Sequence, residues 1–458
     1  MTALFAERAL LAEGWQSNVR ITIGADGRIE NVVRDAAPEA RDMNLGNRIL
    51  LPAPANLHSH AFQRAMAGMT EYRSATDDDF WSWRELMYRF LDVLTPDQIE
   101  AIAALVYVEM LEAGYASVGE FHYVHHRPGG GAYDNIAETS ERIFVAAAET
   151  QIGLTHLPVL YTYGGAGKKP LAGGQLRFGC DSERFERLHA AARAGLLREL
   201  PADCAIGVAP HSLRATDPHQ MRQVAGVFSD GPVHIHVAEQ DREVAEIEAW
   251  LGARPVEWLL GEAGIDRRWC LIHATQMKDA ETGGLAASGA VAGLCPITEA
   301  NLGDGTFNAR DFIAADGRFG VGSDSNIRIS LSEELRQLEY SQRLRHKARN
   351  VLAGQGVSTG RNLFQRAAAG SARAIGRDSG VLEAGRFADI VALDARHLAF
   401  AGLRDDQLLD GWIFAADDGV VSDVWSAGRH CVREGRHVGR DRVVQRYRSA
   451  MVQLMESL

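Results

Sequence analysis

Asn56-Leu57-His58-Ser59-His60 ends an apolar run, Ile49-Leu50-Leu51-Pro52-Ala53-Pro54-Ala55. Two imidazoles at spacing two fall on one face of a strand. Neutral imidazole is the commonest metal-ligating side chain, so two of them on one rigid strand end are half a site for a divalent ion. An isolated His-x-His can equally be a pair of polar turn residues, and the metal reading therefore needs further ligands downstream. The chain offers them. His236-Val237-Ala238-Glu239 sets a carboxylate three residues past a third imidazole, near enough to exchange protons with whatever a metal holds. His273 and Ser323-Asp324 follow. His58, His60, His236 and Asp324 make an N3O ligand set of the kind that leaves a position open for water, whose pKa a catalytic zinc lowers towards about 7. His273 would orient or deprotonate that water. His234, two residues before His236 on the same face, is a rival ligand; it ranks lower because it lies deeper in its strand and lacks a carboxylate at that spacing.

These side chains need a scaffold that brings distant segments together. Eight short apolar runs alternate with longer helical stretches: Ile49–Ala53, Ala116–Phe121, Leu157–Tyr161, Ala205–Ala209, Val233–Val237, Cys270–Ala274, Ala290–Cys295 and Phe319–Gly322. The pattern predicts an α/β protein built on a (β/α)8 TIM-type barrel, whose reactive groups collect at the C-terminal ends of the strands. Those ends carry His58, His60, Glu120, His122, Tyr161, His211, His236, Glu239, His273, Pro296 and Asp324. Sixteen histidines scattered at random through 458 residues would rarely fall at so many strand ends, which weakens a purely structural explanation. One wall helix is expected from Thr95-Pro96 to Gly114, two more over Leu331–Arg349 and Arg361–Ile375, and an amphipathic surface helix over Asp441–Leu458. Strand-like segments at both ends, such as Val19–Ile23 and Ile390–Leu393, predict one small β-sandwich shared by the termini. The expected division is 1–50 and 377–458 for that sandwich and 51–376 for the catalytic barrel.

Composition narrows the function. A net charge of -12 without a lysine or arginine stripe disfavours nucleic acid and anionic membranes as partners. Any anionic substrate would need local arginines. Five scattered cysteines, with no Cys-x-x-Cys, fit a reducing compartment and exclude a thiolate zinc site. No apolar run is long enough for a signal or membrane segment, so the expected location is cytoplasmic. The Pro-Cys-x-x-Cys signature of nucleobase-editing zinc deaminases is missing.

His58-x-His60, His236-x-x-Glu239, His273 and Ser323-Asp324 occur in the order typical of the amidohydrolase superfamily, and Gly380-x-Leu382-x-x-Gly385-x-x-Ala388-Asp389 resembles its β-sandwich signature. No lysine ends the fourth run, where Pro210-His211 stands, so the resemblance implies one metal rather than two. Finer motifs resemble the N-formimino-L-glutamate deiminase family: Asn56–Arg64, Phe80-Trp81-Ser82-Trp83-Arg84, Glu120–His126 and Ala209–Arg214. That resemblance implies hydrolysis of N-formimino-L-glutamate to N-formyl-L-glutamate and ammonia by a homodimer with one Zn2+ per subunit. Gln63, Arg84, Tyr123, His211 and Arg214 would line the substrate pocket, with a loop carrying Arg84 over the barrel mouth. Glu239, His273 and Asp324 would handle protons. Two guanidiniums suit a small dianionic substrate. The alternatives are a deaminase of the same superfamily acting on guanine or an adenosine derivative, and a non-catalytic scaffold on a retired barrel.

Overall fold

Which apolar runs pair with which decides whether the strand ends converge. The computed structural model describes residues 2–71 and 80–458, side chains 80–82 and 225 aside. Parallel strands Ala55–Ser59, Ser117–His122 and Gly153–Leu160 lead to a fourth strand split into Ala205–Ile206 and Ala209–Pro210. Val233–Val237, Trp269–His273, Val291–Leu294 and Arg318–Val321 form a second parallel set. Bridges Val208–Val233 and Ser212–His236 join the two sets on one side, and Ser59–Asp324 closes the barrel on the other. Every residue of Ser117–His122, Gly153–Leu160, Val233–Val237 and Trp269–His273 is buried, as expected for parallel strands covered on both faces.

The Ile49–Ala53 run is not a barrel strand, contrary to the sequence expectation. Arg48–Pro52 lies between Thr2–Leu11 and Ile390–Asp394 in the sheet made by the two chain ends, and the barrel starts at Ala55. The reason is local. Pro52 and Pro54 have no N–H to offer a ladder, so the run breaks there into two strands that serve different sheets.

That terminal sheet is mixed and nine-stranded, and it encloses its own core of Leu4, Val19, Ile21, Leu50, Ile390 and Trp425. Arg377 ties it to the barrel floor. Its guanidinium bonds to Asp389 at 2.6 and 2.9 Å, to the Asp203 carboxylate at 3.0 Å and to the Asp203 carbonyl at 2.6 Å.

The wall helices follow their caps. Helix Pro96–Glu112 starts with a reciprocal Thr95–Gln98 capping box and proline at its first position. Leu331–His346 and Thr359–Ala374 complete the wall, and Arg440–Ser457 packs against Pro96–Glu112 from outside. Among the described residues no helix is long and apolar enough to cross a membrane.

Candidate active site and metal centre

Barrel closure brings four predicted ligands to one point. The Nε2 atoms of His58, His60 and His236 lie 3.0–3.3 Å from one another, and Asp324 Oδ1 is 3.4 Å from His58 Nε2 and 3.3 Å from His60 Nε2. The tautomers show what these contacts are. His60 Nδ1 donates to the Phe121 carbonyl at 3.0 Å and His236 Nδ1 to the His211 carbonyl at 3.2 Å, so in both rings Nε2 presents a bare lone pair. Burial drives His58 down to about 3 and holds His60 and His236 below the usual imidazole range, so all three are neutral at pH 7. The bare lone pairs of His60 and His236 face each other at 3.3 Å and repel unless a cation lies between them. Ligands about 2.0–2.1 Å from a tetrahedral zinc stand roughly 3.3 Å apart, which is the spacing of this cluster. The residues therefore fit a divalent metal, and they are one of two buried clusters among the described residues with metal-ligand spacing. The other, His273 with Cys295 and Asp324, shares its carboxylate with the first.

Asp324 and His273 both have left-handed backbone, φ 47° and 68°, which turns their side chains off the strand ends towards the mouth. Burial opposes ionisation of Asp324, but its hydrogen bond to His58 and the charge of His273 outweigh that and hold the carboxyl well below its usual range. His273 Nε2 stands 3.8 Å from both Glu239 Oε1 and Asp324 Oδ2, and its Nδ1 meets Glu299 Oε1 at 3.3 Å. Burial lowers the basicity of this ring, yet Glu239, Glu299 and Asp324 together push it up to about 10. Glu239 itself is pushed up by burial, against the charges of His273 and Arg214.

Two acids at this centre escaped the sequence reading. Glu299, on helix Pro296–Leu302, fixes the far side of His273 while accepting from Cys295 N at 2.9 Å. Asp304 lies just beyond that helix, is buried, and is pushed up to about 9 by burial and then by Glu239. The signal available was Pro296 at a strand end, which places the following helix beneath the mouth.

The remaining strand-end candidates divide. His234 bonds the Ala374 carbonyl at 2.7 Å on the barrel floor and stands outside the ligand cluster. Glu120 accepts from Ala61 N at 2.8 Å and burial raises it to about 7, so it shapes the turn after His60. His122 turns outward to the Thr139 hydroxyl at 3.1 Å.

Above the cluster opens a pocket whose lining includes Gln63, Arg84, Tyr123, His211 and Arg214, all five of the predicted substrate residues. Gln63 donates to the Tyr123 hydroxyl at 2.7 Å. Arg214 Nη2 is 3.7 Å from Glu239 Oε2. His211 packs its ring 4.9 Å from that of His236. Arg84 sits on helix Phe80–Val93 rather than on a loop, a correction to the sequence reading. Trp83, Met87, Phe90 and Leu91 recur at helical spacing and bury that face, which explains the helix. The side chains of Phe80, Trp81 and Ser82, part of the same motif, lie outside the described residues. Tyr161 and Phe178 also line the pocket.

Comparison with known proteins agrees with this geometry. The amidohydrolase family matches residues 49–431, and the N-terminal domain of formimidoylglutamate deiminase HutF matches residues 1–44. A formimidoylglutamate deiminase of Pseudomonas aeruginosa is 49% identical over 458 residues, covering 100% of both chains. A 5-methylthioadenosine/S-adenosylhomocysteine deaminase of Bacillus cereus is 26% identical over 405 residues, 86% of this chain and 83% of its own. Among solved structures, an amidohydrolase from Brucella melitensis superposes with a TM-score of 0.95 at 49% identity, covering 99% of this chain and 100% of that one. An adenosine deaminase from Xanthomonas campestris with bound zinc shares the fold, with a TM-score of 0.82 at 20% identity and coverage of 99% and 98%. The chain belongs to the amidohydrolase family and, within it, to the formimidoylglutamate deiminases.

Proposed function

We propose that this protein hydrolyses N-formimino-L-glutamate to N-formyl-L-glutamate and ammonia, a step of histidine degradation. One observation carries the reading: Arg84 and Arg214 stand on the wall of the same pocket whose floor holds the N3O cluster. Two guanidiniums match a substrate with two carboxylates, whereas a flat neutral base needs stacking and amide contacts. The full-length relative of that name supports the same substrate.

In this reading His58, His60, His236 and Asp324 hold one Zn2+ per subunit. When bound, zinc supplies a Lewis acid that lowers the pKa of water towards about 7. The chain's own groups do the rest. Gln63, Arg84, Tyr123, His211 and Arg214 bind and orient the substrate so that its formimino carbon faces the cluster. His273 Nε2, next to Asp324, would take a proton from the attacking water, and the carboxylates around it favour the protonated ring that results. Glu239, which burial favours as the protonated acid, delivers a proton to the imino nitrogen. The carbon gains the water oxygen, the hydroxyl proton of the adduct passes to the same nitrogen, and the C–N bond breaks to release ammonia, leaving the formyl group on glutamate. The reading includes a cytoplasmic homodimer, consistent with five free cysteines.

Ammonia release by zinc-loaded protein is measured with N-formimino-L-glutamate, guanine and an adenosine derivative side by side. Turnover confined to the first is expected. Deamination of a base instead would overturn the pocket assignment, and silence on all three without bound metal would favour a scaffold.

A further inference from the structure

Tyr161 directly follows the third barrel strand, Gly153–Leu160, and lines the pocket, yet nothing above gives it a task. A phenol oxygen offers one proton and two lone pairs. Arg84 Nη2 donates to it at 3.0 Å and Gln175 Nε2 at 3.2 Å. Arginine can only donate. The Gln175 amide is equally committed, because its Oε1 accepts from Ala172 N at 3.1 Å while its Nε2 also donates to the Gly164 carbonyl at 3.1 Å. A flipped amide would set oxygen against oxygen and nitrogen against nitrogen at those two contacts. Both lone pairs of Tyr161 are thus taken, and its proton finds no acceptor among the described residues. The side chain is 3% exposed and packs edge-on against His211, with ring centroids 4.6 Å apart, so the ring is fixed on the pocket wall.

A buried hydroxyl with an unused proton, beside a guanidinium on a pocket wall, asks for an anion. We propose that Tyr161 is a substrate-binding residue that donates its hydroxyl proton to the carboxylate gripped by Arg84, the two forming one seat. The inference rests on the dicarboxylate reading above and sharpens it. The seat accepts one carboxylate oxygen from two converging donors, while the Gln175 contact stops Tyr161 from turning its proton back towards the loop. Arg214, 3.7 Å from Glu239, would take the other carboxylate.

The test uses the zinc-loaded full chain and Y161F, with three substrates: N-formimino-L-glutamate, N-formimino-4-aminobutyrate, which lacks the α-carboxylate, and N-formimino-L-2-aminobutyrate, which lacks the distal one. Loss of a hydrogen bond to a charged group predicts roughly a ten- to hundredfold rise in KM for the parent, with kcat nearly unchanged. The same penalty is expected with the analogue that keeps the seated carboxylate and none with the analogue that lacks it. An equal penalty on all three substrates, or none on any, overturns the proposal. Calorimetric binding of glutarate to both proteins runs in parallel. If wild type turns over no formimino substrate but Y161F weakens glutarate by the same factor, the seat stands and the assigned reaction falls; unchanged glutarate binding removes the seat whatever the turnover.

Discussion

Glu239→Gln separates proton delivery from everything else the site does. Glu239 is 4% exposed, its Oε1 is 3.8 Å from His273 Nε2, and its Oε2 is 3.7 Å from Arg214 Nη2. Burial pushes this carboxyl towards its neutral form, so an amide replaces it with little change in shape or buried charge. Folding stability and zinc content should therefore stay at wild-type levels, and Arg214 keeps Glu243 at 3.9 Å. Turnover should not. An amide can donate a hydrogen bond to the imino nitrogen but cannot surrender the proton, and loss of a general acid costs about 10²–10⁴-fold in kcat, about 2.7–5.4 kcal/mol of barrier. KM should move little, because the carboxylates of the substrate are held elsewhere. Ammonia release against pH, with zinc measured in the same samples, reads all of this. A variant that keeps full zinc and a kcat within tenfold of wild type would refute the role of Glu239.

Chelation should destabilise the fold measurably, because the bare lone pairs of His60 and His236 then face each other at 3.3 Å without a cation; a saturating ion at a thousand times its Kd contributes about 4 kcal/mol. Calorimetric melts with and without zinc check this, and identical curves would count against the cluster as a metal site. Arg377→Met should cost about 3–5 kcal/mol in urea unfolding, since it strands the buried Asp389 carboxylate without its cation, while Asp203 keeps Arg429 at 2.7 Å. His189, whose Nε2 meets the Gly207 carbonyl at 3.1 Å, is driven by burial down to about 4. A folded pKa below the unfolded value near 6.5 gives stability that is complete above pH 6.5 and drains away as pH falls towards 4. Between pH 7 and 4.5 this ring alone should account for about 2 kcal/mol. His189→Gln should flatten the fall in urea stability over that window by this amount, and an unchanged slope would refute the assignment.

The site residues were legible because a barrel obliges every strand end to face one mouth. His58, His60, His236, His273 and Asp324 needed only that rule to be brought together, and alternation sorted His236 from the outward Val237. The same reasoning failed where one pattern admits two sheets. Ile49–Ala53 is as apolar as any barrel strand, and which sheet it joins depends on the tertiary pairing of Leu51 with Val391, more than three hundred residues away. The aromatic cluster before Arg84 fits a loop over the mouth as well as a helix, and only the burial of Trp83, Met87 and Leu91 along one stripe makes it helical.

Glu299, Asp304 and Tyr161 show a different limit. Each is an ordinary residue type in an ordinary context, and nothing in spacing distinguishes Glu299 from the other acids of the chain. What marks it is that the Cys295-Pro296 strand end launches a short helix whose fourth residue comes back beneath His273. Tyr161 stands at a strand end that the sequence picks out, but its role is marked only by the count of hydrogen-bonding capacities around one oxygen, a property that exists once Arg84, Gln175 and the loop from Gly164 to Ala172 have met. Residues that touch a metal carry a chemistry recognisable in one dimension, because few side chains can do it. Residues that orient a proton or complete a carboxylate seat are interchangeable in type, so their roles are written in the convergence of their neighbours.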